Sequence, residues 1–125
     1  MQRNLTDAVV AHCIDFRLQG YLNRWLDEYL GNGNYDRVAL AGGVLDFETI
    51  LAQVKIAVRL HEIKKVILIN HEDCGAYGAE GNYERHKADL EEAERKVEAL
   101  FPHLDVEIYY LHLDGMFEEL SKTEK

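Results

Sequence analysis

Two short segments of this 125-residue chain contain residue types that bind metals. In the first segment, Cys13, Asp15 and Arg17 are each separated by one residue, and in the second, His71 lies three positions before Cys74. Thiolate sulfur, imidazole nitrogen and carboxylate oxygen are ligand atoms that zinc prefers in a tetrahedral site. These residue types indicate a zinc centre, provided that the fold brings the two segments together.

The two segments are embedded in a regular alternation of strands and helices. Apolar runs predict strands at residues 7–12, 38–41, 66–69 and 106–113, and helical periodicity predicts helices at 18–30, 47–62 and 83–101, with a helical turn at 116–120. Strands that alternate with helices form a parallel sheet through right-handed crossovers. We therefore predict one α/β domain over residues 1–125, with a four-stranded, mainly parallel, doubly wound sheet in the order 2-1-3-4 flanked by helices.

This strand order predicts where the two segments meet. The first and third strands are neighbours, and the winding of the sheet changes direction between them, which opens a crevice at their carboxyl ends. Cys13 and Asp15 follow the first strand, and His71 and Cys74 follow the third. Adjacent strands lie about 4.8 Å apart, so the four side chains can converge on one ion. Each motif alone is a weak signal, but their joint placement favours a metal site.

Two other interpretations of the cysteines compete with this one. Free cysteines are often ordinary core residues, and two cysteines on adjacent strand ends can form a disulfide or redox pair. Neither interpretation explains why His71 and Asp15 occupy the same place, so metal binding is favoured. Glu72 and Asp73, inside the second segment, are interpreted as solvated turn residues.

The composition limits the classes of partner. Hydrophobic residues make up 47% of the chain, which is enough for a core, and the net charge is −9. A surface this negative repels phosphate backbones and anionic lipids, so we expect no nucleic-acid or membrane partner. Two cysteines are too few for a secreted disulfide scaffold, and no apolar run approaches the roughly 20 residues of a membrane span. We predict a soluble, cytoplasmic protein that acts on a small molecule.

The two segments resemble the signature of the β-class carbonic anhydrases. The segment from Cys13 to Arg17 is similar to the family's Cys-x-Asp-x-Arg motif, and the strand that runs into His71 and Cys74 is similar to its His-x-x-Cys-Gly motif. Ala41 and the glycines after it are similar to the family's Ala-Gly segment. The resemblance covers roughly residues 7–78 and identifies the chain as a short, divergent member.

The resemblance implies a function and a role for each residue. It implies one Zn²⁺ per chain, bound by Cys13, His71 and Cys74, that hydrates carbon dioxide reversibly to bicarbonate through a zinc-bound hydroxide. Asp15 would be a fourth zinc ligand in a closed form, or would pair with Arg17 and leave that position to water. The guanidinium fork of Arg17 matches a carboxylate and can pull Asp15 off the metal. The resemblance also implies a homodimer or a higher homo-oligomer.

The chain departs from the family pattern at several positions, and these departures keep two alternatives open. Ala39 and Leu40 stand where family members usually carry Arg-Asn, and Phe16 replaces a small residue. An apolar crevice lined by Phe16 and Leu40 suits a zinc hydrolase of carbonyl sulfide or carbon disulfide. A non-catalytic zinc-binding or redox-sensing protein is the other alternative, and Asp15 held permanently on the metal would favour it.

Overall fold

The computed structural model, which describes residues 4–121, contains a five-stranded, mainly parallel sheet. Its strands are β1 (Ala8–His12), β2 (Tyr35–Ala39), β3 (Lys65–His71), β4 (Asp105–Leu111) and β5 (Phe117–Glu119), and its helices are α1 (Gln19–Leu30), α2 (Phe47–His61) and α3 (Tyr83–Leu100). The spatial order is β2-β1-β3-β4-β5. This order confirms the predicted parallel arrangement 2-1-3-4 and adds an antiparallel edge strand to it.

The helices cover both faces of the sheet, as a doubly wound fold requires. Helix α1 lies on one face, where Leu22 and Leu26 pack in a cluster with Ile67 of β3. Helices α2 and α3 lie on the other face, where Ile50 and Leu90 belong to a second cluster. The crossovers therefore change direction between β1 and β3, which opens the crevice at the carboxyl ends of these two strands.

Most predicted boundaries agree with the structure within two residues, but β2 begins earlier than expected. The apolar run predicts this strand at residues 38–41, whereas it spans Tyr35–Ala39. It is an edge strand, and its first three residues are polar or amphipathic: Tyr35 and Asp36 are partly buried, and Arg37 is exposed. Apolar runs reveal strands that are buried on both faces, so they miss the start of an edge strand.

The predicted helical turn at residues 116–120 is wrong, because Phe117–Glu119 form β5 and pair antiparallel with β4. Phe117 stacks on Trp25 of α1 with ring centroids 4.3 Å apart and ring planes 9° from parallel. This contact joins segments that are far apart in sequence. Tertiary packing therefore overrides the local pattern from which the turn was predicted.

Single residues at the ends of two helices account for where these helices begin or end. Asp46 caps α2, because its side chain accepts a hydrogen bond from the backbone N–H of Thr49. Gly31 ends α1 with a φ of 98°, a conformation that side chains disfavour. Within residues 4–121, no helix combines the length and apolar character needed to cross a bilayer.

Candidate metal centre

Cys13, His71 and Cys74 meet at the crevice between β1 and β3. Cys13 follows β1 directly, His71 is the last residue of β3, and Cys74 lies in the turn that follows. Their ligand atoms all lie within 4.8 Å of one another, and all three residues are buried. The two sulfur atoms are 4.0 Å apart. Two thiolates on one tetrahedral zinc lie about 3.8 Å apart, so the spacing fits a shared ion.

The alternative of a disulfide does not match this geometry. Both cysteines are free, and bonded sulfurs would be about 2.05 Å apart. The alternative of ordinary core thiols does not account for His71, whose imidazole offers a nitrogen to the same cluster.

The imidazole of His71 is oriented for metal binding. Its Nδ1–H donates to the backbone carbonyl of Glu72 over 2.7 Å, which leaves Nε2 as the atom with the free lone pair. Nε2 is buried and has no hydrogen-bond partner among the described residues. A buried nitrogen of this kind is costly unless something binds it. Because two thiols lie beside it, the donor set fits a zinc ion.

The electrostatics of the two thiols also fit a cation. Burial by itself would raise the pKa of Cys13, but the His71 imidazole and backbone N–H groups outweigh it and lower the pKa from 9.0 to about 7. One of these groups is the N–H of Gly42, which donates to Cys13 Sγ over 3.3 Å. Burial raises the pKa of Cys74, and the nearby Cys13 raises it further. A bound cation would stabilise both thiolates together.

Asp15 lies at the edge of this cluster and is held by Arg17. Its Oδ2 is 3.8 Å from His71 Nε2. Arg17 donates from Nε to Oδ1 over 3.1 Å and from Nη2 to Oδ2 over 2.7 Å, a two-pronged contact. The side-chain hydrogen bonds from Arg17 are the main reason that the pKa of Asp15 falls to about 2. Asp15 is therefore ionised and acts only as an acceptor near neutral pH.

His12 is a supporting residue of the centre that the sequence did not single out. Its Nδ1–H donates to the carbonyl of Cys13 over 2.8 Å, and its Nε2 accepts from Nε of Arg37 over 2.8 Å. Burial is the main cause that lowers the pKa of His12 to about 4, so the ring is neutral. It connects the edge strand β2 to the backbone of Cys13.

Asp73 was interpreted as a solvated turn residue, and the structure gives it a partner. Its carboxylate accepts from Nη1 of Arg17 over 3.1 Å, and its carbonyl accepts from Nη2 over 3.0 Å. Asp73 has a φ of 59°, a backbone conformation that aspartate tolerates better than most side chains. An aspartate at this turn position is the only local signal that the sequence offers for the contact with Arg17. Glu72 contributes its backbone carbonyl to His71, as described above.

The apolar residues expected to line the crevice have different surroundings. Phe16 lies between Asp15 and Arg17 in sequence and is 85% exposed, and Ile14 is 57% exposed. Leu40 is partly buried and packs against the core on the side of α2 and α3. The exposed apolar residues that flank Asp15 in sequence are therefore Phe16 and Ile14, whereas Leu40 belongs to the core.

The two glycines after β2 have separate tasks. Gly42 has a φ of 87° and brings its N–H to the sulfur of Cys13. Gly43 has a φ of 60° and lies so close to β3 that a Cβ atom would collide with Asn70 Oδ1 and stand 2.9 Å from the carbonyl of Ile69. The segment is thus a tight turn that also places a backbone donor at the cluster.

Gly43→Ala is expected to lower the free energy of unfolding by about 2–4 kcal/mol, because it combines backbone strain with a collision against β3. Gly33→Ala is the matched control, since Gly33 has a φ of 82° and a Cβ added there would meet nothing within 4 Å. That control should lose only the backbone contribution, about 1 kcal/mol. Urea unfolding measures the free energy of unfolding of both variants. Equal losses in Gly43→Ala and Gly33→Ala would show that contact with β3 does not determine the need for glycine at position 43.

Known structures define the class of fold. The carbonic anhydrase of Glaciozyma antarctica matches with a TM-score of 0.69 at 15% identity, over 97% of this chain and 85% of that chain. A tetrameric β-carbonic anhydrase of Sordaria macrospora matches with a TM-score of 0.63 at 13% identity, over 94% of this chain and 82% of that chain. At these identities the likeness shows the fold, which is that of the β-carbonic anhydrases.

Sequence comparison defines the family. The family model described as "Putative carbonic anhydrase" matches residues 3–121, so the chain belongs to this carbonic anhydrase family. A protein of Rickettsia bellii described as "Uncharacterized protein" is 27% identical over an alignment of 136 positions, which spans 94% of this chain and 83% of that protein. The similarity to the carbonic anhydrase family, which the sequence analysis based on short motifs, therefore extends over nearly the whole chain.

Proposed function

We propose that the chain binds one Zn²⁺ through Cys13, His71 and Cys74 and catalyses the reversible hydration of carbon dioxide to bicarbonate and a proton. The observation that carries this proposal is the buried Nε2 of His71, which has no hydrogen-bond partner in the described chain and lies beside two thiols whose sulfurs are 4.0 Å apart. Membership of the carbonic anhydrase family supports the choice of reaction.

The residues around the cluster have distinct roles in this proposal. When bound, zinc supplies Lewis acidity that makes water a nucleophile near neutral pH. Asp15 is ionised and fixed by two hydrogen bonds from Arg17, so it can accept a hydrogen bond from the attacking water and orient it. Arg17 holds the carboxylate at the edge of the cluster, with Oδ2 3.8 Å from His71 Nε2. This pairing is why we favour an enzyme over a non-catalytic zinc protein, which would keep Asp15 on the metal.

The proposal extends to assembly and location. The tetrameric relative from Sordaria macrospora supports a homo-oligomer for this chain. Two free cysteines fit a reducing compartment, and we therefore assign the protein to the cytoplasm.

Stopped-flow measurement of carbon dioxide hydration tests the reaction. The full chain, loaded with one zinc per chain, is expected to hydrate carbon dioxide well above the buffer rate. Removal of the metal with a chelator should abolish this activity, and stoichiometric zinc should restore it. Equal rates for the loaded and the metal-free protein would contradict the proposal.

Hydrolysis of carbonyl sulfide is the second candidate, and the exposure of Phe16 is the observation that favours it. An exposed aromatic residue next to Asp15 in sequence offers apolar surface for a less polar relative of carbon dioxide. Sulfide release from carbonyl sulfide should be measured on the preparation used for hydration. A kcat/KM for carbonyl sulfide above that for carbon dioxide, reversed in Phe16→Ala, would favour this second function.

A further inference from the structure

Arg17 is anchored from two sides by turns that follow two different strands. Asp15, in the turn after β1, accepts from its Nε and Nη2 atoms, and Asp73, in the turn after β3, accepts from Nη1 and Nη2. The arginine side chain is 37% exposed and long, so one contact alone would leave it much conformational freedom. The second anchor restricts that freedom.

The two aspartates do not compete for the same hydrogen atoms of the guanidinium. The Asp73 carboxylate uses Nη1, whereas the Asp15 carboxylate uses Nε and Nη2. Nη2 carries two hydrogens, one for Asp15 and one for the carbonyl of Asp73. Arg17 can therefore bind Asp73 and keep its bidentate contact with Asp15 at the same time.

We propose that Asp73 is a positioning residue, which holds Arg17 in the geometry that keeps Asp15 away from the metal. This inference rests on the proposed function, because it assumes a metal ion at Cys13, His71 and Cys74. Without the Asp73 carboxylate, Arg17 is less well fixed and Asp15 more often takes the fourth ligand position. An external ligand then binds the metal more weakly, since it must first displace Asp15.

The test uses the full chain loaded with Co²⁺, whose visible absorption reports on its ligands, and azide as the external ligand. Asp73→Gly removes the carboxylate without backbone strain, because residue 73 has a φ of 59°. Azide affinity is expected to fall about two- to five-fold, the range of an exposed ion pair. Loss of a negative charge alone would strengthen azide binding, so the direction of the change separates positioning from electrostatic attraction.

Two further variants complete the test. In an Asp15→Ala background, Asp73→Gly should no longer weaken azide binding, because no carboxylate remains at position 15 to compete for the metal. Asp105→Asn is the matched control, since Asp105 is also an exposed aspartate in an ion pair, with Lys65 at the other end of the sheet. It should leave azide affinity unchanged.

The outcomes separate this inference from the proposed function. Unchanged or increased azide affinity in Asp73→Gly, or an equal loss in the Asp15→Ala background, would overturn the role of Asp73 while the metal site stands. Absence of thiolate-to-cobalt absorption in the unmodified chain would overturn both.

Discussion

Replacing Cys74 by serine is expected to weaken zinc binding by more than about 100-fold, a larger effect than loss of an outer partner of a ligand. Serine preserves the size of the side chain but removes the thiolate, and the remaining two protein ligands cannot complete a tetrahedral site. Cys74 is buried, with 4% of its surface exposed, so water cannot enter freely to replace the sulfur. Competition with a chromophoric chelator measures the affinity.

The control for this substitution has to separate metal binding from folding. Tyr77→Phe serves this purpose, because Tyr77 packs in the same small cluster as the two cysteines but offers no atom to the metal group. It should keep zinc affinity close to that of the unmodified chain, even though it loses hydrogen bonds to Asn70 and Asp89. Full zinc retention in Cys74→Ser would remove Cys74 from the ligand set.

Arg17→Lys is expected to lower kcat/KM for carbon dioxide hydration about 10- to 100-fold while zinc content stays at one per chain. A lysine keeps the positive charge but cannot form the two-pronged contact with Asp15, nor reach the carboxylate and carbonyl of Asp73 at the same time. Without these charge-assisted hydrogen bonds Asp15 is poorly positioned, and misplacement of a group that orients a reactant can cost about 100-fold in rate. Stopped-flow kinetics on protein of known zinc content measures the change.

Arg85→Lys is the matched control, because Arg85 is also a partly exposed arginine that binds two carboxylates, Asp89 and Glu80. It lies on α3, outside the Cys13, His71 and Cys74 cluster. Its activity should stay within about two-fold of the unmodified chain, as for an ordinary surface ion pair. Similar losses in both variants would show that the effect of Arg17 is not specific to the centre.

The parallel core of the fold could be predicted from sequence because it follows from local patterns. Strands buried on both faces, such as β3, appear as continuous apolar runs, and their alternation with helices leaves few topologies. The convergence of Cys13 with His71 follows from the same rule, because both lie at the carboxyl ends of neighbouring strands. Strand β5 could not be found in this way, since it depends on the packing of Phe117 against Trp25.

The supporting residues of the centre were harder to predict for a similar reason. His12 is placed by Arg37, which comes from a neighbouring strand, and Asp73 by Arg17, which lies 56 positions earlier in the chain. Neither contact leaves a periodic pattern in the sequence. Asp73 in addition has a left-handed backbone conformation that many sequences could adopt at a turn.

X-ray absorption at the zinc edge tests the central claim most directly, because it reports the ligand atoms of the metal in the intact protein. For the chain loaded with one zinc, we expect two sulfur ligands at about 2.3 Å and two nitrogen or oxygen ligands at about 2.0–2.1 Å. Two sulfurs would match Cys13 and Cys74, and His71 would supply one of the lighter ligands. A spectrum without two sulfur ligands, or a chain that takes up no zinc, would contradict the claim.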